Sequence, residues 1–228
     1  MNPIWFNAVR ASARAAVPWY LAGGAPMPLA AYQPIGAASL ADSYLRIAGT
    51  GGNANLDPAV VGSGVAPAWS STDGWIGSGT QWLNTGIFPT LDQTWSMLVR
   101  FSNFNINAER YLAGLIALSP ERRFSLGAVL STSSMMYDSS NQHRIPPLIT
   151  SGVIGFAGRD AYRNGVLDGS ASMSVFGVSP AVLAIMARGR TADTADFITQ
   201  VHIQALAIYS STLTAPQVAA VSAAMAAL

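Results

Sequence analysis

The chain has 228 residues, half of them hydrophobic and only 10% charged, with a formal net charge of +1. It contains no cysteine, which excludes disulfides and thiolate metal sites. All 12 basic residues are Arg and they are scattered, with Arg122-Arg123 the one adjacent pair, so the clustered cations that nucleic-acid binding needs are missing. The length suits one large domain, or one domain with an extension. The charged fraction lies well below the usual level of about a quarter. Much of the surface is therefore Ser, Thr, Ala, Gly and Asn, which suits burial against other subunits and equally follows from a GC-rich codon bias.

Residues 1–35 are apolar and punctuated by Pro3, Pro18, Pro26, Pro28 and Pro34. Arg10 and Arg14 precede an apolar run in the order of a secretory signal. However, Trp5 and Phe6 lie ahead of the charges and Pro18 interrupts the run. No stretch reaches the roughly 18 uninterrupted apolar residues of a spanning helix, so a soluble chain without membrane insertion is expected. Residues 8–17 suit a short helix that Pro18 ends. The segment after it, WYLAGGAPMPLAAYQPIGA, is too Pro-rich for regular structure and too apolar for water, so it is expected to pack along the main domain or a neighbouring subunit. A docking or oligomerisation arm over 1–35 is therefore expected ahead of a domain over 36–228.

Residues 36–80 carry repeated turn signals in TGGNANLD and VGSGVAPAWSSTDGW, which predict short strands between long loops. Trp69, Trp75 and Trp82 fall in or beside this region. They read either as a ligand-stacking platform or, more simply, as closure of a β core. From 81 to 213 a period of two dominates. In TWSMLVRFS, Trp95, Met97, Val99 and Phe101 point one way while Ser96, Arg100 and Ser102 point the other. Phe124, Leu126, Ala128 and Leu130 alternate likewise. VIGFAG (153–158), VLAIMAR (182–188) and VHIQALAIYS (201–210) are further strand candidates, the last apolar on both faces at Leu206–Ile208, as a central strand would be. AYRNGVL holds Asn164-Gly165 between apolar arms, the signal of a two-residue hairpin turn. The chain closes with TAPQVAAVSAAMAAL. Thr214 and Gln217 stand at capping-box spacing, Pro216 lies in the first turn, and Val218, Val221, Met225 and Leu228 mark one face of a helix. Many short strands with regularly spaced turns predict an all-β antiparallel sandwich with a short C-terminal helix.

Taken together, Tyr162, Asn164 and Gly165 of the hairpin and Ile208, Tyr209, Leu213, Thr214, Gln217 and Val218 of the closing motif resemble the laminin-G-like (concanavalin A-like) jelly-roll family. TWSMLVRFS and GTQWLNTG (79–86) resemble its early strands. The resemblance covers residues 70–228 and implies a jelly-roll β-sandwich. Its motifs are structural and carry no activity.

Catalytic patterns are sparse. Glycosidases use paired carboxylates, whereas Glu109 (in NAERY) and Glu121 (in SPERR) each stand beside an Arg and read as loop ion pairs. His143 lies in DSSNQHRIPP, an exposed loop by composition, and His202 alternates on a strand with Val201 and Ile203. Neither is joined to a nucleophile motif, for no G-x-S-x-G occurs. The chain has no Lys to complete a phosphate-binding loop. Some members of the resembled family hold Ca²⁺ at the sandwich rim, and Asp138 with Asn141, or Asp193 with Asp196, are the candidates that implies. Each pair offers two side-chain ligands, so no metal site is assigned and no cofactor is expected. For a sugar ligand the stacking candidates are Trp75, Trp82 and Tyr137.

The expectation is a non-enzymatic structural or attachment module, a homo-oligomer within a bacteriophage virion as a capsid decoration, fibre or tail-associated protein. The alternative is a glycan-binding, lectin-like domain of a secreted or cell-surface protein, and a glycosidase ranks last. No nucleic-acid partner is expected.

Overall fold

The computed structural model describes residues 17–118, 121–140, 143–172 and 176–228. It is built from two facing β-sheets whose strands pair almost entirely antiparallel. The first sheet runs Val166–Ser170, Asp160–Arg163, Gly152–Ala157, Ser96–Ser102, Gln200–Tyr209, Ala30–Tyr32 and Arg46–Gly49 from edge to edge. Gly74–Ser78 pairs with the start of Gln200–Tyr209, and Ala68–Ser70 lies beyond it. The second sheet runs Arg144–Ile145, Ser134–Ser140, Glu121–Val129, Glu109–Leu118, Ala184–Ile185 and Leu83–Asn84. Arg188–Gly189 joins Glu109–Leu118 in parallel and carries Ala195–Asp196 at its side.

Alternation does what the sequence predicts. Met97, Val99 and Phe101 from one sheet meet Phe124, Leu126 and Tyr137 from the other in a dry interior. Burying each such side chain contributes roughly 1.5–3 kcal/mol before entropy is counted. The opposite face of the first sheet is not left to water. Leu98, Val153, Ala207 and Tyr209 pack there under Val218, Val221 and Met225 of the C-terminal helix, Ala215–Ala226. Gln217 fixes that helix at its start: Oε1 accepts from the Thr214 amide at 2.9 Å, and Nε2 donates to the Gly24 carbonyl at 2.9 Å. Leu228 falls beyond the last helical turn and is partly exposed.

The hairpin forms as its Asn-Gly pair requires. Asn164 and Gly165 hold φ of 50° and 80°, and Arg163 pairs with Val166 across the turn. The Asn164 carboxamide oxygen also accepts from the Val153 amide at 2.9 Å, tying the turn to the next strand.

Three expectations need correction. Residues 17–35 pack along the main domain, as one expectation has it, but they contribute a strand to it, so a boundary at 35 cuts through one sheet. Trp19–Gly24 forms a 3₁₀ turn under the helix, and Ala30–Tyr32 is a fully buried strand paired on both sides. Prolines flank this strand without entering it, and a buried backbone must satisfy its amides. Residues 1–16, with the helix expected over 8–17, lie outside the described residues apart from Val17, which is exposed. Second, VLAIMAR is not one strand. Met186 takes φ of 62°, breaking the run into Ala184–Ile185 and Arg188–Gly189, and its amide turns to the Leu112 carbonyl. Third, Leu130 leaves the alternation, because the strand stops at Val129 and a 3₁₀ turn follows. Among the described residues, no helix is long and apolar enough to cross a membrane.

Candidate functional site

Among the described residues, three polar regions are candidates for a site. The first is the face of the second sheet turned away from the interior. Cross-strand register places Gly114, Ser125 and Asp138 in one row there, opposite in sense to Phe124, Leu126 and Tyr137. Glu109 Oε1 takes a 2.7 Å ion pair from Arg123 and the hydroxyl hydrogen of Tyr111. The Tyr111 oxygen accepts in turn from Arg123 at 3.1 Å and Arg188 at 3.2 Å. Arg188 lies 4.4 Å over the Phe197 ring and grips Asp196, which Arg190 also reaches at 2.9 Å. Asp138 is wholly buried, with Arg144, the His143 amide and Ser125 Oγ around its carboxylate.

Electrostatics follow from these contacts. Burial pushes the Tyr111 hydroxyl up, and its bond to Glu109 adds to that, so it stays protonated. Burial raises Glu109 too, but the Tyr111 bond and the charges of Arg123, Arg144 and Arg188 outweigh it and hold the carboxyl below its ordinary range. Glu109 is therefore no loop ion pair with its neighbour Arg110; it opens a strand and its partner comes from the next one. Glu121 opens that next strand, and its side chain lies outside the described set. Among the described side chains, Glu109, Asp138 and Asp196 are each engaged by a guanidinium.

The second place is the open rim of the sandwich, where the chain crosses from Ser96–Ser102 in one sheet to Glu109–Leu118 in the other. Ser78, Asn105, Asn107, Arg110 and Gln200 line a cleft of about 200 Å³. Asn105 is set by two bonds to Gln200, backbone amide to carbonyl at 3.0 Å and Nδ2 to Oε1 at 2.6 Å. Gln200 Nε2 then donates to the Ser78 carbonyl at 3.1 Å. Arg110 spends one Nη1 bond on the Glu109 carbonyl. The cleft lining holds amides, a hydroxyl and one guanidinium, and no acid. The third place is the part of the first sheet's outer face beyond the helix end, around Arg100.

The residues singled out from sequence are not brought together. Trp75 is fully buried with its indole nitrogen donating to Ser43 Oγ at 2.9 Å, and Trp82 packs with Ala184 and Ala187. Trp69 is partly buried, its indole bonded to the Pro34 carbonyl. The indoles close the β core and make no stacking platform. Tyr137 is buried and its hydroxyl donates to Asp168 at 2.9 Å. His143 is half-buried against Tyr137 and not an exposed loop residue. His202 lies on the outer face, 3.5 Å from Asp73. Asp138 and Asp196 already hold guanidinium groups, Asp193 is exposed, and Asn141 lies outside the described residues. No group of three or more metal-ligating side chains occurs among the described residues. The rim cleft was missed, although SNFNINAER carries a signal: Asn103, Asn105 and Asn107 recur at every second position of the crossover.

Fold and rim together define a two-sheet antiparallel sandwich of the jelly-roll kind with a polar cleft at one open end. No protein-family model and no curated protein matches the chain. Among solved structures, it is similar to the Trypanosoma rangeli sialidase in complex with sialic acid, 12% identical over 84% of this chain and 32% of that one, with a TM-score of 0.52. It is also similar to the Ruminococcus gnavus IT-sialidase CBM40, 13% identical over 58% of this chain and 84% of that one, with a TM-score of 0.45. The chain spans about a third of the length of the trypanosomal enzyme. At such identities the likeness shows the fold alone.

Proposed function

We propose that this is a non-enzymatic, laminin-G-like domain that binds glycans, with the rim cleft as its sugar site. The observation that carries the reading is the lining of that cleft. Asn105, Asn107, Gln200, Ser78 and Arg110 line one volume, and carboxamide, hydroxyl and guanidinium groups can donate to or accept from the hydroxyls of a pyranose ring. Recognition here is by hydrogen bonding, since the described tryptophans pack in or against the core. A glycosidase needs two carboxylates across a cleft; the rim cleft holds none, and Glu109, Asp138, Asp168 and Asp196 are each held by an Arg. A secreted or cell-surface location accompanies this reading.

The test is a glycan array probed with the wild-type chain and with an Asn105→Ala/Asn107→Ala variant, with and without Ca²⁺. Sialic acid, the sugar with which the trypanosomal sialidase was solved, belongs on the array. Binding that the double substitution removes supports the proposal; an array without hits, or hits the variant retains, rejects it.

A second reading is a structural or attachment module of a bacteriophage virion that assembles as a homo-oligomer. One observation favours assembly: the outermost strand of the first sheet, Val166–Ser170, carries two exposed apolar residues, Val166 and Leu167. Unprotected edges invite strand pairing with another copy.

A further inference from the structure

The first sheet's longest strand carries a bulge. Ile203 pairs with Phe101 and Ala205 with Arg100, so Gln204 is the extra residue between them. Ile203 belongs to the interior while Ala205 lies under the helix, and the bulge aims Gln204 at the outer face beside Arg100. Gln204 is only 9% exposed, and its side-chain amide makes no hydrogen bond among the described residues. The residue lines a cavity of about 350 Å³.

Arg100 stands at the centre of this region. One Nη1 hydrogen caps the helix end at the Met225 carbonyl, 2.9 Å away, and no carboxylate among the described residues pairs with it. Burial alone lowers its pKa, with no anion acting against the loss of water. A second cavity of about 350 Å³ opens on its other side, with Gln33, Ser71 and Thr72 in its wall. The first is walled by Ser102, Ser151 and Asn164 besides Gln204. The two cavities flank one guanidinium and share no lining residue with the rim cleft.

We propose that Arg100 and Gln204 form a carboxylate subsite for a sugar acid, a uronate or sialate, within an acidic glycan. A guanidinium beside an amide donor matches a planar carboxylate. One cation without a second suits a monoanionic carboxylate better than a dianionic phosphate monoester. The hydroxyls and amides on both sides suit the ring hydroxyls of the flanking sugars. A protein partner would instead seek large exposed aromatic and aliphatic anchors; of those in these walls, Phe101, Val153 and Ile35 are buried and Leu228 is exposed. The subsite is independent of the rim cleft.

The test is a titration of the ¹⁵N-labelled full chain, following the Arg100 Nε–H and Gln204 side-chain amide signals. Probes are galacturonate and N-acetylneuraminate, with galactose and acetate as controls. Millimolar sugar acid is expected to shift both signals while galactose does not and acetate does so more weakly. Gln204→Glu, which hands Arg100 an internal carboxylate, is expected to weaken the response roughly tenfold or more. Gln204→Leu, of similar volume, gives the same loss without the added charge and keeps the result readable if the first variant misfolds. The proposal is overturned if neither sugar acid shifts the signals, if galactose matches them, if acetate does (an adventitious ion only), or if both variants respond as wild type. Signals of Asn105 and Asn107 read the rim cleft separately, so failure of either site is seen without the other.

Discussion

The Arg188 guanidinium meets both oxygens of Asp196, Nε to Oδ1 at 2.8 Å and Nη2 to Oδ2 at 2.9 Å. This fork closes the outer face of the second sheet, because Arg188 is almost wholly buried and also bonds the Tyr111 hydroxyl. Removing one partner of such a pair leaves a charge in a poor solvent. Asp196→Ala is therefore expected to cost about 3 kcal/mol, the low end for a buried pair because Asp196 is partly hydrated and Arg190 shares it. Urea unfolding measures this; a loss below about 0.5 kcal/mol would mark the pair as surface decoration.

Glu109 gives the pH dependence. Its folded pKa lies below the ordinary 4.5, so its contribution is complete above that value and is lost as pH falls through the depressed folded pKa. The urea midpoint of wild type should exceed that of Glu109→Gln at neutral pH, and the gap should narrow as the solution is acidified below the ordinary Glu range. A gap that stays constant would show that the Arg123 and Tyr111 contacts do not depend on the charge.

At the hairpin, Asn164→Ala removes both a residue tolerant of positive φ and the acceptor for the Val153 amide. The expected loss is about 2 kcal/mol, from left-handed backbone strain and the orphaned amide together. Asn164→Gly keeps the backbone freedom and should recover roughly half. Equal thermal midpoints for all three chains would refute this account of the turn.

The apolar edge bears on assembly. Val166 is 68% and Leu167 55% exposed on the outermost strand of the first sheet. If copies of the chain associate through this edge, light scattering gives a homo-oligomer and Leu167→Lys shifts it toward monomer. A wild-type chain that is monomeric at high concentration removes the support for a virion module.

The sandwich was legible in the sequence because half-buried strands and an amphipathic helix leave periodic traces. Met97, Val99 and Phe101 declare one face of a strand, and Val218, Val221 and Met225 declare one face of a helix. The edges of that reading failed where tertiary demand overrides local preference. Ala30–Tyr32 sits among prolines yet is needed between two strands, and Met186 interrupts an apolar run with a conformation that no propensity signals. The sites were less visible still. Three indoles close in sequence went into the core, while the rim cleft draws Ser78, the Asn105–Arg110 stretch and Gln200 from three separate segments. Gln204 looks like one polar residue in an apolar strand; only the bulge shows where it points.

The glycan-binding account is tested most directly by titrating the best array ligand into the ¹⁵N-labelled chain and mapping the perturbed side-chain signals. The account predicts that Asn105, Asn107, Gln200 and Arg110 move together and saturate at one affinity. Saturable binding that leaves these four unmoved would contradict it.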